Sequence, residues 1–272
     1  MHASVWMRRL AVSGYLAFTL THYVQAQQVN EFSLPAPKLV GHQKRQLWAT
    51  WYHLFPAKEV QSGKGYPLID THNKPISVNI PPKEWCLGAM SGAINITSAK
   101  GKKTTYNYID SRGPVQVNCR KHVKIRKPWV EAMGRSRFKI SDAPYGDGFK
   151  KAGLVPFRTI ATDKQTIPLG SVLFVPSARG NKITLPNGKV AIHDGYFYVG
   201  DKGGGGVKGN HIDVFSGPYV DNPFPAFVKH TPSKTFEAFI INDKNIQEKL
   251  LAMHQYHLPQ VVSTARRESL DL

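Results

Sequence analysis

The chain has 272 residues, 41% of them apolar, and 36 Lys and Arg stand against 18 Asp and Glu for a formal net charge of +18. That apolar share supports a real core, and 19 prolines with 23 glycines argue against a helical bundle and for β-structure with many turns. The charge implies attraction to a polyanion: nucleic acid for a cytosolic protein, an anionic wall or lipid surface for an exported one.

The N-terminus carries the marks of export. Arg8 and Arg9 form a basic start, Leu10 to Leu20 is an apolar run too short to span a bilayer, and Val24-Gln25-Ala26 is a small-residue cleavage site. Residues 1–26 are therefore read as a signal peptide, and the mature chain is expected in the periplasm or outside the cell. No cysteine stands at the junction to take a lipid. Residues 27–45 read as an arm leading into the first domain.

Leu47–Phe55 is aromatic-rich and strand-like, and Gln61–Lys83 has the Gly, Pro, Asn and Asp density of loops. Trp85–Thr97 reads as a buried turn and a strand, and Thr104–Ile109 alternates as a strand. Cys86 and Cys119 are an even pair in an exported chain, which suggests a disulfide; two buried free thiols are the alternative. Arg120–Lys139 is the most basic segment, with Trp129 and Phe138 interleaved, and suits either a sugar or nucleic-acid surface or a solvated face.

Ser171–Val175 is a strand, and Asn187-Gly188 between two apolar runs signals a hairpin. Tyr196–Val199 and Ile212–Phe215 are strands around a glycine-dense loop. Thr235–Ile241 reads as a closing strand, and Asn245–His254 has helical spacing, with Ile246, Leu250 and Met253 on one face. Many short strands and few helices predict a small β-barrel. Within it Asp213, between Ile212 and Val214, points away from its two neighbours and is a candidate general acid held on a rigid element.

Four ordered stretches carry a family resemblance. They are Ile160-Ala161-Thr162-Asp163, Ile167-Pro168-Leu169-Gly170-Ser171, Gly200-Asp201-Lys202-Gly203-Gly204 and Val207-Lys208-Gly209-Asn210-His211-Ile212-Asp213-Val214-Phe215. Together they resemble the three-aspartate (3D) domain shared by lytic transglycosylase A and the stationary-phase muralytic factors. Ala49-Thr50-Trp51-Tyr52 is similar to the opening of such domains.

The resemblance implies a mainly β fold: a six-stranded double-psi β-barrel over about 46–242, a long inserted loop region at about 60–150, and a short C-terminal helix and tail over 243–272. It implies cleavage of the β-1,4 bond of peptidoglycan between N-acetylmuramic acid and N-acetylglucosamine, leaving a 1,6-anhydro end. The three family aspartates correspond to Asp163, Asp201 and Asp213, with Asp213 acting as acid and then base. Thr50, Tyr52, Lys208, Gly209, Asn210 and His211 are the expected substrate-binding residues. Core packing for Tyr52 and a solvated Lys208 are the plain alternatives. One departure is visible: Asp201 to Asp213 is one residue longer than the family spacing. A zinc reading of His193 and His211 with Asp194 or Asp213 lacks ligand spacing.

The expectation is thus a monomeric enzyme acting on glycan strands at an anionic wall, with no cofactor, metal or nucleic acid. The rival is an expansin-like module that binds wall glycan without cutting it.

Overall fold

Alternating side chains place six strands around one apolar centre. The structure is a computed structural model that describes residues 32–149, 152–204 and 206–255. The expected signal peptide, its cleavage site and the end of the C-terminal tail lie outside those residues. The first strand, β1 (Gln43–Tyr52), sends Leu47 and Ala49 inward, nearly free of solvent, while Trp48, Thr50 and Tyr52 lie on the opposite face. Alternation of this kind turns a short sequence into a two-faced strand.

After β1 the chain leaves the barrel. It builds β2 (Phe55–Lys58), a helix α1 (Pro82–Ser91), β3 (Ala93–Thr97), β4 (Lys103–Asp110), two single helical turns α2 (Cys119–His122) and α3 (Trp129–Met133), and β5 (Arg137–Ile140). Strands β2-β3-β4-β5 form a separate four-stranded sheet with its own core of Leu68, Ile80, Trp85, Ile94, Val130 and Phe138. The inserted region, read as dominated by loops, is therefore an ordered sheet with helices packed on it. Residues 61–81 do keep the expected turns, joined by isolated bridges such as Tyr66 to Ile80.

The expected turn at Trp85 is instead helix α1. Pro82 opens it, where a missing N–H costs nothing, and Gly92 closes it in the left-handed region at φ 82°. Trp85, Cys86 and Ala89 are its buried face. Gly88 is there for packing: a Cβ on it would lie 2.5 Å from Ile94 Cδ1. Cys86 on α1 is bonded to Cys119 at the start of α2, 33 residues on. Closing a loop of that size is worth roughly 3 kcal/mol on the loop-entropy model. The basic stretch splits in two: Phe138 is buried against Trp85, whereas Trp129 is 47% exposed among solvated Lys and Arg.

The chain re-enters the barrel with β6 (Thr159–Thr162) and β7 (Val172–Phe174). A two-stranded hairpin of β8 (Lys182–Thr184) and β9 (Val190–Ile192) follows, outside the barrel and turning at Gly188 with φ 81°. Then come β10 (Tyr196–Lys202), β11 (His211–Phe215), β12 (Phe236–Ile240) and helix α4 (Lys244–His254). The barrel closes in the order β1-β11-β6-β10-β7-β12, with β1–β11 and β6–β10 parallel and the other pairs antiparallel. Its centre holds Leu47, Ile160, Leu173, Phe197, Val199, Ile212 and Val214, with Phe224 and Phe227 packed against Phe197. Helix α4 is capped by Asp243, whose carboxylate accepts the Ile246 N–H at 3.2 Å, and it packs Ile246 and Leu250 on the outside of β7 and β10.

Candidate active site

Strand register builds the site. Thr50 on β1 lies opposite Asp213 on β11, Asp213 lies opposite Ala161 on β6, and Ala161 lies opposite Asp201 on β10. The four residues form one row across the barrel's outer face. Ile212 and Val214 are fully buried in the barrel centre, so Asp213 between them points outward. Ala161 between the two aspartates is the smallest side chain that leaves the face open between their carboxyls.

Asp201 reaches that face through a bulge. Val199 pairs with Ile160 and Asp201 with Ala161, so Gly200 is an extra residue in β10. Val199 points into the core, and in a regular strand Asp201, two residues on, would follow it. The bulge reverses the parity and turns Asp201 outward. Glycine is required beside it: a Cβ on Gly148 would stand 2.3 Å from the Gly200 carbonyl oxygen, so a turn from the insert rests directly on the bulge. The extra residue between Asp201 and Asp213 leaves both aspartates in register with Ala161.

Both carboxyls are hard to ionise. Burial pushes Asp213 up to about 6, with the charge of Asp201 adding and the hydrogen bond from Thr50 opposing. Burial likewise pushes Asp201 up to about 6, against the Lys202 N–H at 2.8 Å, the Tyr52 hydroxyl at 3.0 Å and the Lys202 charge. Tyr52 itself is raised well above its ordinary value by burial and then by the charges of Asp201 and Asp213, so it stays a donor.

Hydrogen-bond polarity links Asp213 to His211. The Thr50 hydroxyl lies 2.8 Å from Asp213 Oδ1 and 2.8 Å from His211 Nε2, and His211 Nδ1 lies 3.0 Å from the Gly206 carbonyl. A carbonyl only accepts, so Nδ1 carries a proton. Burial pushes His211 below its ordinary value, so the ring is neutral and Nε2 accepts. Thr50 has a single proton: it donates it to Asp213 Oδ1 while that carboxyl is ionised, which opposes the raised pKa, and it is free to turn to His211 Nε2 once Asp213 is protonated. A neutral His211 and a protonated Asp213 therefore satisfy each other. Trp48 stacks on the imidazole, with ring centroids 3.6 Å apart, and holds it in that plane.

Asp163 is not in this row. Its carboxylate accepts the Gly209 N–H and the Gln165 N–H, both at 3.1 Å, and these bonds, Gly209 first, hold its pKa below the ordinary value. It braces the loop before β11. Gly209, at φ 58°, and Asn210 enter through their backbones, the Asn210 carbonyl accepting the Trp48 N–H at 3.1 Å. Lys208 lines a small cavity with Thr162 and Lys202. Sequence reasoning missed Trp48 and Gly200. Trp48 was legible as two residues before Thr50 on the same strand face; the bulge at Gly200 was not.

The fold and site define a closed β-barrel with an outward pair of half-buried carboxyls. Within it, residues 158–221 match the family model of the 3D domain. Similar solved structures include E. coli MltA with bound chitohexaose, at 15% identity over 72% of this chain and 71% of that one, TM-score 0.46. The membrane-bound lytic murein transglycosylase from Agrobacterium tumefaciens is 13% identical over 77% and 78%, TM-score 0.45. Lytic transglycosylase LtgG of Burkholderia pseudomallei is 15% identical over 72% and 71%, TM-score 0.35. No curated protein matches the chain in sequence.

Proposed function

We propose that this protein is an exported peptidoglycan lytic transglycosylase. The observation that carries the reading is Asp213: an outward carboxyl on a barrel strand whose protonated form is favoured by burial and by the charge of Asp201, with its pKa raised to about 6. Asp213 protonates the glycosidic oxygen as the bond to C1 breaks. Its carboxylate then takes the proton from the sugar's own C6 hydroxyl, and that oxygen closes on C1 to leave the anhydro ring. One carboxyl serves both steps because it is regenerated protonated. Asp201 keeps the pKa of Asp213 high, and Asp163 braces the Lys208–His211 loop beside it. The 3D-domain match over 158–221 supports the substrate class, and the Cys86–Cys119 disulfide supports an oxidising compartment.

A second reading rests on spacing. Asp201 and Asp213 stand on alternate strands on either side of Ala161, and inverting hydrolases also use two carboxyls, one protonating the leaving group and the other holding a water between them. In that reading Asp201 holds a water. Mass spectrometry of digested sacculi separates the two: anhydro ends are about 18 Da lighter than hydrated ends, because no water is added. Anhydro products are expected. Hydrated products would replace the reading with hydrolysis, and tight binding to sacculi without products would leave an expansin-like binding module.

Thr50 is a positioning residue in this mechanism. Thr50→Val keeps the shape and removes the hydroxyl between Asp213 and His211. It is expected to lower kcat/KM by about tenfold, and to move the pH at which activity falls upward, since the Thr50 hydrogen bond now holds the Asp213 pKa down. Thr50→Ser is expected to restore both. A pH-rate profile unchanged by Thr50→Val would remove Thr50 from the mechanism.

A further inference from the structure

The bulge at Gly200 turns Asp201 outward, and the end of helix α4 stands against that bulge. A Cβ on Gly200 would lie 3.1 Å from Thr159 Cγ2, 3.2 Å from His254 Cδ2 and 3.2 Å from Tyr198 Cδ1. Thr159 and Tyr198 are register partners on β6 and β10 just before the bulge, so the sheet itself fixes them. His254 is the last residue of α4 and reaches the bulge from outside the barrel.

The imidazole has no freedom of its own. It is fully buried, with Nδ1 2.7 Å from the Leu250 carbonyl one turn back and Nε2 2.9 Å from the Thr159 hydroxyl. A carbonyl only accepts, so Nδ1 carries the proton and Nε2 accepts from Thr159. The Thr159 oxygen in turn accepts the Val155 N–H at 2.8 Å, and Tyr198 packs on the ring with centroids 4.3 Å apart. Burial above all pushes the His254 pKa down to about 4, so the ring stays neutral while Asp201 titrates near 6. The backbone is tied as well. The His254 carbonyl accepts the Gly153 N–H at 2.7 Å, and Gly153 bridges to Asp147, the neighbour of the Gly148 that rests on the Gly200 carbonyl. Packing is otherwise incomplete there. A cavity of about 270 Å³, lined by Phe149, Leu169, Tyr198, Gly200, Leu251 and His254 among others, borders the bulge and leaves the chain room to shift.

We propose that His254 is a positioning residue for Asp201: its locked imidazole is the wall that holds the Gly200 bulge, and with it the outward aim of the second carboxyl. The proposal rests on the glycan-cleaving reading and deepens it. His254 touches neither aspartate. It acts through Gly200, and Asp201 in turn acts on Asp213 through its charge.

Carbon-13 NMR titration of the Asp201 and Asp213 carboxyls in the full chain reads the positioning without substrate. In His254→Ala the Asp201 resonance is expected to move and its pKa to fall from about 6 toward the ordinary 3.8, because the carboxyl leaves its buried place beside Tyr52. The Asp213 pKa is expected to fall by about half a pH unit, since the Asp201 charge now helps to raise it. Release of anhydro ends from sacculi at neutral pH should then drop about threefold, the loss of protonated Asp213 that such a shift makes. His254→Gln keeps an acceptor for Thr159 and bulk beside Gly200, and is expected to restore most of both. Should His254→Ala not fold, Thr159→Val carries the test: it frees Nε2 but leaves the ring, and Asp201 is expected to change in the same direction. An unchanged Asp201 resonance and pKa in these variants, or a lower melting temperature with no change at Asp201, overturns the positioning role and leaves the proposed reaction standing. The expected titration shifts in a protein that releases no anhydro ends uphold the role of His254 and sink the reaction instead.

Discussion

Asp213→Asn is expected to abolish release of anhydro-muropeptides, with a loss on the order of 10³-fold or more in kcat/KM. Asparagine keeps the size and still hydrogen-bonds to Thr50, but it has no proton to give and no charge with which to take one back. Since one group performs both steps, nothing else in the row substitutes for it. The same variant is expected to be more stable than the wild type at neutral pH. The folded pKa of Asp213 is about 6, above the ordinary 3.8, so folding disfavours its ionised form. Its favourable contribution is complete below 3.8 and is lost as pH rises through about 6. The penalty removed by the amide is on the order of 2 kcal/mol above that range. Asp201 has the same sign and stays in place, so the variant should keep part of the decline in stability between pH 4 and 7. Melting temperatures across that range, read beside turnover, check both halves. Near-wild-type turnover, or a variant less stable than the wild type at pH 8, would remove Asp213 from the acid role.

The second large effect lies away from the row. Arg158 is fully buried just before β6, and its guanidinium grips Asp194 through Nη1 to Oδ1 at 2.7 Å and Nη2 to Oδ2 at 3.1 Å. Nη1 also donates to the Tyr196 carbonyl at 2.5 Å, and the guanidinium lies 4.2 Å over the Phe32 ring. Asp194 in turn accepts the Leu34 and Tyr196 N–H groups, both at 3.1 Å, so the pair ties the N-terminal arm to β6 and β10. Burial alone would raise the pKa of Asp194, but the hydrogen bonds and charge of Arg158 prevail and hold it below its ordinary value. Arg158→Leu strips that compensation and leaves a buried carboxylate with only backbone donors. The expected cost is about 3–5 kcal/mol in urea unfolding. Arg158→Leu combined with Asp194→Leu should recover most of it, since an apolar pair leaves no orphaned charge. A single-variant cost below about 1 kcal/mol would mean the ion pair contributes nothing beyond packing.

The barrel was legible chiefly through β1 and β11, in which buried apolar residues alternate with others. Leu47 and Ala49, and Ile212 and Val214, alternate with polar or aromatic residues, and that period says which face is buried before any partner is known. The outward aim of Asp213 followed from the same rule. The insert was read less well. Helix α1 contains Gly88 and is followed by Gly92, which look like turn residues, whereas one is there for contact with Ile94 and the other for the left-handed end of the helix. That contact joins residues brought together only by the sheet.

The sequence by itself pointed to a small β-barrel, to a helix over Asn245–His254, found at Lys244–His254, and to a carboxyl at Asp213 turned away from its two apolar neighbours, because short-range periodicity and residue chemistry are local. Only the tertiary structure decided the rest. It put Thr50, Asp213, Ala161 and Asp201 in one row, turned Asp201 outward through the bulge at Gly200, and moved Asp163 out of the row to brace a loop. It also set His254 of α4 against that bulge. Register and bulges arise from pairing between distant strands, and a one-residue slip, invisible in composition, reverses the face on which a side chain stands.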